Sequence, residues 1–134
     1  MECLVTTLLL DSHVVHWWAA EPEKLSPNAT RAIDESDELA LSAVSWYELA
    51  WLARHERIEL STPLRAWLEA LASHVRTVGI TPAIADTAVA LPSSFPGDPV
   101  DRIVYATAVE NGWRLVTKDR ALRAHRHPRQ VTLW

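Results

Sequence analysis

The residues with most chemistry to offer are carboxylates in recurring local settings. Asp11 ends the apolar run "TTLLLD", and Glu48 lies within "VSWYELAWLARHE". Asp98 and Asp101 stand three positions apart in "FPGDPVDRI", and Asp119 follows an apolar run in "VTKDR". Each has a plain structural use. Asp11, Asp98 and Asp119 can cap helices, Ser45-x-x-Glu48 has the spacing of a capping box, and Asp101 in a first helical turn gains from the helix dipole. The alternative is that they act together. Carboxylates within ~4–6 Å of each other raise one another's pKa unless a cation compensates. Hard, charged oxygen donors of this kind suit Mg2+ or Mn2+.

The elements that would gather these acids can be read from punctuation and periodicity. Ser26-Pro27, Thr62-Pro63, Thr81-Pro82 and Asp98-Pro99 each pair an N-cap residue with a proline at the first helical position. Each precedes apolar residues at helical spacing, and Gly112 ends the last of these helices. A further helix is expected over 44–56, and another begins at His13–Trp18. Between them lie short apolar runs at 6–11, 38–43, 75–80, 113–117 and 130–134, which read as buried strands. Strands without polar faces that alternate with helices predict a parallel sheet covered on both sides. In such sheets functional groups collect beyond the carboxyl ends of the strands. Asp11 and Asp119 fall there directly, and Glu48, Asp98 and Asp101 fall near helix starts that can share that edge.

Composition narrows the classes. The 134 residues predict one domain, 1–134, with an ordinary core. With 13 basic and 17 acidic side chains the net charge is −4, which disfavours a broad surface that coats nucleic acid. The lone cysteine, Cys3, excludes an internal disulfide and a thiolate zinc cluster, and fits a reducing, cytoplasmic setting. The run "CLVTTLLL" is too short to span a membrane. Three glycines leave no phosphate-cradling glycine loop. His13 and His16 lack further nitrogen or sulfur ligands at zinc spacing, so His13 reads as a supporting residue. A phosphatase of the haloacid-dehalogenase type would want an aspartate at position 13, where histidine stands, and a receiver-type regulatory domain would want an acidic pair before its strand-end aspartate.

The segments "LLLDSHVVHWW", "LSAVSWYELAW", "DPVDRIVYATA" and "LVTKD", in this order and at this spacing, resemble the PIN domains, and most of all the VapC toxins of toxin–antitoxin pairs. The likeness runs from Leu8 to Asp119. It implies a three-layer α/β/α sandwich around a central parallel sheet. It also implies an Mg2+-dependent (or Mn2+-dependent) endoribonuclease in which Asp11, Glu48, Asp101 and Asp119 are the catalytic and metal-binding acids. Thr117 matches the family's small hydroxyl residue, Ser12 stands where threonine is frequent, and Asp98 matches an additional acid of this branch. Ser12, Thr117, Asp98 and Arg102 would orient ligands or substrate around the acids.

The resemblance further implies a VapB-type antitoxin, an RNA substrate and a homodimer. Arg102, Lys118, Arg120 and Arg123 flank the acids and could touch RNA phosphate; a solvated helix face accounts for them equally well. The histidine-bearing run 123–129 reads as a loop. Trp17, Trp18, Trp46, Trp51 and Trp67 fall on predicted helices; Trp17 and Trp51 suit a core, and the apolar breadth of 44–56 suits a groove for a partner helix. A catalytically weak PIN-like binding module is the competing reading.

Overall fold

The computed structural model describes residues 5–134; Cys3, and with it the expectation about disulfides, lies outside them. Five strands form one sheet: β1 (Thr7–Leu10), β2 (Glu38–Ser42), β3 (Arg76–Val78), β4 (Arg114–Val116) and β5 (Thr132–Leu133). Their order is β3-β2-β1-β4-β5, and every pairing is parallel. The helices are α1 (Ser12–Ala20), α2 (Pro27–Glu35), α3 (Ala43–Arg54), α4 (Leu64–Ala72), α5 (Pro82–Ala90), α6 (Pro99–Asn111) and α7 (Arg120–Ala124).

The unbroken apolar character of the strands follows from burial on both faces. Neighbouring residues of a strand point to opposite sides. Leu8, Leu10, Leu41 and Val116 enter a core with Val14 and Val15 of α1, Ile33 of α2, Leu49 of α3 and Leu71 of α4. Leu9, Ala40 and Leu115 enter a second core with Val104, Tyr105 and Ala108 of α6 and Leu122 of α7. Helix α5 packs outside α6, with Ile84 and Ala88 against Ala106. The result is the three-layer α/β/α sandwich expected from the sequence.

Three of the four capping dipeptides act as read. Ser26 Oγ accepts from Ala29 N at 3.0 Å, Thr81 Oγ1 accepts from Ile84 N at 3.2 Å, and Asp98 Oδ1 accepts from Val100 N at 2.8 Å. Gly112 ends α6 in the left-handed conformation, φ 68°, where glycine has no Cβ penalty. Thr62 departs from the pattern: α4 begins at Leu64 and its cap position is Pro63, which offers no side-chain acceptor. The capping box at Ser45 does not form either. Helix α3 starts one turn earlier, its cap is Ser42 at the end of β2, and Ser42 Oγ accepts from Val44 N at 3.3 Å.

The topology creates one special place. From central β1 the chain winds outward through β2 and β3, then returns to the other side of β1 for β4 and β5. The helices following β1 and β4 therefore lie on opposite faces: α1 beside the first core and α7 beside the second. Beyond the carboxyl ends of β1 and β4 they diverge and leave a crevice, the position where open α/β sheets hold ligands.

Candidate functional site

Asp11 occupies that crevice because β1 ends there. Its backbone N–H still donates to Val116 O at 3.1 Å, which continues the sheet by one residue. Its side chain then accepts two bonds: Oδ1 from Ser12 N at 2.9 Å and Oδ2 from the Thr117 hydroxyl at 2.7 Å. The same hydroxyl accepts from Asp119 N at 3.1 Å. Thr117 thus ties the ends of β1 and β4 together and fixes both aspartates. Asp119 also caps α7, with Oδ1 accepting from Ala121 N at 2.8 Å and Leu122 N at 3.2 Å. Capping and site membership are not alternatives for Asp11, Asp98 or Asp119; the electropositive start of a helix is what brings the carboxylate to the crevice.

The remaining acids arrive from across the sheet. Asp98 caps α6 and so places Asp101 in its first turn. Glu48 is free of the capping box and projects from the second turn of α3. Asp11, Glu48, Asp98, Asp101 and Asp119 line one cleft of about 590 Å³, together with His13, Trp17 and Lys118. Hollows of comparable size elsewhere are set apart by chemistry. In the one beside Trp18, Asp37 and Glu38 are already bonded, to Thr6 N and to Arg76.

The electrostatics follow from this crowding. Burial pushes the Asp101 carboxyl up to about 7, and the charges of Asp11, Asp98, Asp119 and Glu48 push in the same direction. Burial also raises Asp11, against the lowering effect of the Thr117 and Ser12 hydrogen bonds and of His13. Glu48 is raised by burial and by Asp11, with Ser12 and His13 opposing. The Ser12 hydroxyl is buried and near enough to favour ionised Glu48, yet makes no hydrogen bond of ordinary geometry with a protein group. All five donors are carboxylates, the set that suits a small hard cation. They line the cleft walls; among the described residues no three His, Cys, Asp or Glu side chains form a closed ligand set.

Two residues fall differently from expectation. Arg102 turns away from the acids. Its guanidinium donates to the carbonyls of Ala88, Leu91, Pro92, Phe95 and Pro96 at 3.0–3.3 Å and 2.9 Å for the last. It fastens the segment between α5 and α6 and is not available to substrate. Trp51 is 45% exposed and stacks on His55 at 3.9 Å, so it is not a core residue. His16 pairs with Glu21 at 3.3 Å, away from Asp11, which leaves the zinc reading without support. His13 and Trp17 were not read as site residues of equal standing with the acids. Their signal was one of register: four apart on α1, they share its face at the cleft, with rings 5.8 Å apart.

The sequence matches the PIN-domain family over residues 8–128. The chain belongs to the PIN-domain family. Among its relatives is "Ribonuclease VapC22" of Mycobacterium tuberculosis, 68% identical over 130 residues, which span 97% of this chain and 100% of that one. Solved structures share the PIN fold at much lower identity. A toxin–antitoxin complex from Klebsiella pneumoniae superposes with a TM-score of 0.69 at 22% identity, covering 95% of this chain and 96% of that one. VapBC2 from Rickettsia felis, bound to a DNA fragment from its promoter, gives 0.70 at 10% identity, covering 96% and 98%.

Proposed function

We infer that this PIN domain is a divalent-metal-dependent endoribonuclease, the toxin of a VapBC-type toxin–antitoxin pair. The observation that carries the reading is the convergence on Asp101 of the charges of four other carboxylates delivered by β1, α3, the α6 cap and the end of β4. A protein does not gather such charge at the ligand-binding edge of its sheet for stability, since like charges and burial both oppose it. The high identity to a chain named as a VapC ribonuclease supports RNA as the substrate.

Asp11, Glu48, Asp101 and Asp119 would hold Mg2+, or Mn2+ in its place. A divalent cation there would lower the pKa of water and offset charge on a scissile phosphate. The protein's own part is positioning. Thr117 and Ser12 N fix Asp11 in direction and favour its ionised form against the opposing effect of burial, Thr117 also fixes the Asp119 backbone, and Asp98 fixes Asp101 through its N–H at 3.3 Å. Asp101, with its carboxyl at about 7, could exchange a proton near neutrality when no cation compensates. Lys118, exposed at the cleft rim, is placed for a phosphate oxygen.

A VapB-type antitoxin and a second copy of this chain are the partners that accompany this reading. Tyr47 and Trp51 on α3, 71% and 45% exposed, offer an apolar face of the kind a partner helix covers. No helix among the described residues is long and apolar enough to cross a membrane; a cytoplasmic setting goes with the RNA substrate. The test is incubation of the purified chain with structured RNAs in Mg2+ or in EDTA. Cleavage in Mg2+ that is absent in EDTA and in Asp11→Asn is the expected result. Cleavage that survives either change contradicts the reading.

A further inference from the structure

Outside the acid cleft, a second charged feature is a basic hollow at the β5 edge of the sheet. It has a volume of about 530 Å³ and is lined by Arg114, Arg120, Arg123 and Arg126, with Asn28 and Trp134. This is a concentration of positive charge on a chain whose net charge is −4. Among the described residues none of the four arginines pairs with a carboxylate. Arg114, Arg120 and Arg126 are exposed and Arg123 is half-buried. One Arg114 nitrogen bonds Thr132 O at 2.9 Å, and Arg123 leans on Lys118 O at 3.5 Å. Four guanidinium groups lining one hollow, with no carboxylate partner among the described residues, offer an anion planar, bidentate donors, the geometry that suits phosphate.

The hollow and the cleft are joined in two ways. Helix α7 is capped by Asp119, in the cleft, and carries Arg120 and Arg123 into the hollow. Trp17, at the cleft, and Trp134, at the hollow, have ring centroids 6.1 Å apart. Trp134 is held by Asn28, whose Nδ2 donates to its carbonyl at 3.1 Å. Lys118 and Lys24 stand 5.8 Å and 6.0 Å from the Trp17 ring centroid. Half-buried indole rings beside cations thus lead from one charged site to the other, the aromatic and positive groups that single-stranded nucleic acid uses. Lys24 and Lys118, which lie over the Trp17 ring in the free chain, would turn to phosphates as a base takes their place.

We propose that the Trp17–Trp134 ledge and the Arg114, Arg120, Arg123 and Arg126 hollow form a track for single-stranded RNA extending from the bond held in the acid cleft. The track rests on the ribonuclease reading above. It selects substrates with an unpaired flank, because paired bases cannot present their faces to the indoles. Binding along it is insensitive to base identity and sensitive to salt.

The test is fluorescence anisotropy of end-labelled single-stranded oligoribonucleotides of about 4 and about 16 nucleotides, in EDTA, over a range of salt. Wild type is compared with Arg123→Glu/Arg126→Glu, with the charge-neutral Arg123→Gln/Arg126→Gln, and with Trp134→Leu. Thermal melts confirm folding of each. The expected result is that the glutamate pair weakens binding of the longer RNA by about tenfold or more and reduces the slope of log affinity against log salt by about 1.4, the value for two lost contacts to a single strand. The glutamine pair and Trp134→Leu weaken the longer RNA as well, and the shorter RNA is affected less. Folded variants that bind both lengths like wild type overturn the track, and wild-type cleavage in Mg2+ would then leave the ribonuclease reading standing. Variants that bind RNA normally but lose a co-expressed antitoxin assign the hollow to an acidic protein segment and also overturn it. Wild type that binds the longer RNA through these arginines but never cleaves it keeps the track and removes the catalytic reading.

Discussion

Asp101 is the residue at which burial, and after it crowding by the other acids, can be tested by titration. Unfolded, its carboxyl titrates near 3.8; folded and without a cation, at about 7. Between those values the folded state keeps a proton that the unfolded state releases, so this group's contribution to stability falls as pH rises through the window and levels off above it. In EDTA, Asp101→Asn should therefore gain on wild type in melting temperature from about pH 4 to about pH 7. Parallel wild-type and variant curves would show that the carboxyl is not perturbed. Thr117 makes a second test at this scale. Thr117→Val keeps the shape but removes the 2.7 Å bond to Asp11 and the acceptor for Asp119 N. A stability loss of about 2 kcal/mol is expected in a denaturant melt, from a buried bond to a charged group. Cleavage should fall about 10–100-fold, the usual effect of losing a residue that orients metal ligands. Unchanged cleavage would mean that Asp11 needs no such support.

Among the elements, the segment between α5 and α6 depends on one side chain. Arg102→Ala leaves five carbonyls without their shared donor, and a loss of about 3 kcal/mol is expected in thermal or denaturant unfolding. Below its melting point the variant should still cleave RNA, because the guanidinium is not in the cleft. A variant as stable as wild type but inactive would restore Arg102 to the substrate. Sequence reasoning set this residue beside the acids and missed its carbonyl partners for a physical reason: they lie 6–14 residues away, in the last turn of α5 and the irregular segment after it, and no periodicity records such bonds. Strands and most helices were legible because burial on both faces and Ser, Thr or Asp before Pro leave direct marks. Ser45 misled because Ser-x-x-Glu is a capping signature wherever it occurs, while the actual start of α3 was decided by Ser42 at the end of β2. Asp11, Glu48, Asp101 and Asp119 were legible as a set, since strand ends and helix starts share one edge of a parallel sheet. Trp17 was ambiguous, because a half-buried indole looks the same in sequence whether it faces a core or a cleft.

For the whole molecule, charge is sorted by place. Acids collect at the switch point of the sheet, arginines collect beyond β5, and two indoles lie between. The PIN fold supplies the edge at which the acids meet, and under the proposed function relief of their mutual repulsion would drive the binding of a cation. That proposition is tested most directly by calorimetric titration of Mn2+ into the folded, metal-free chain, beside Asp11→Asn and Asp101→Asn. The account predicts saturable binding by wild type, with a rise in melting temperature as Mn2+ is added, and loss of both in the two variants. Folded wild type that takes up no Mn2+, or variants that bind it equally well, would contradict it.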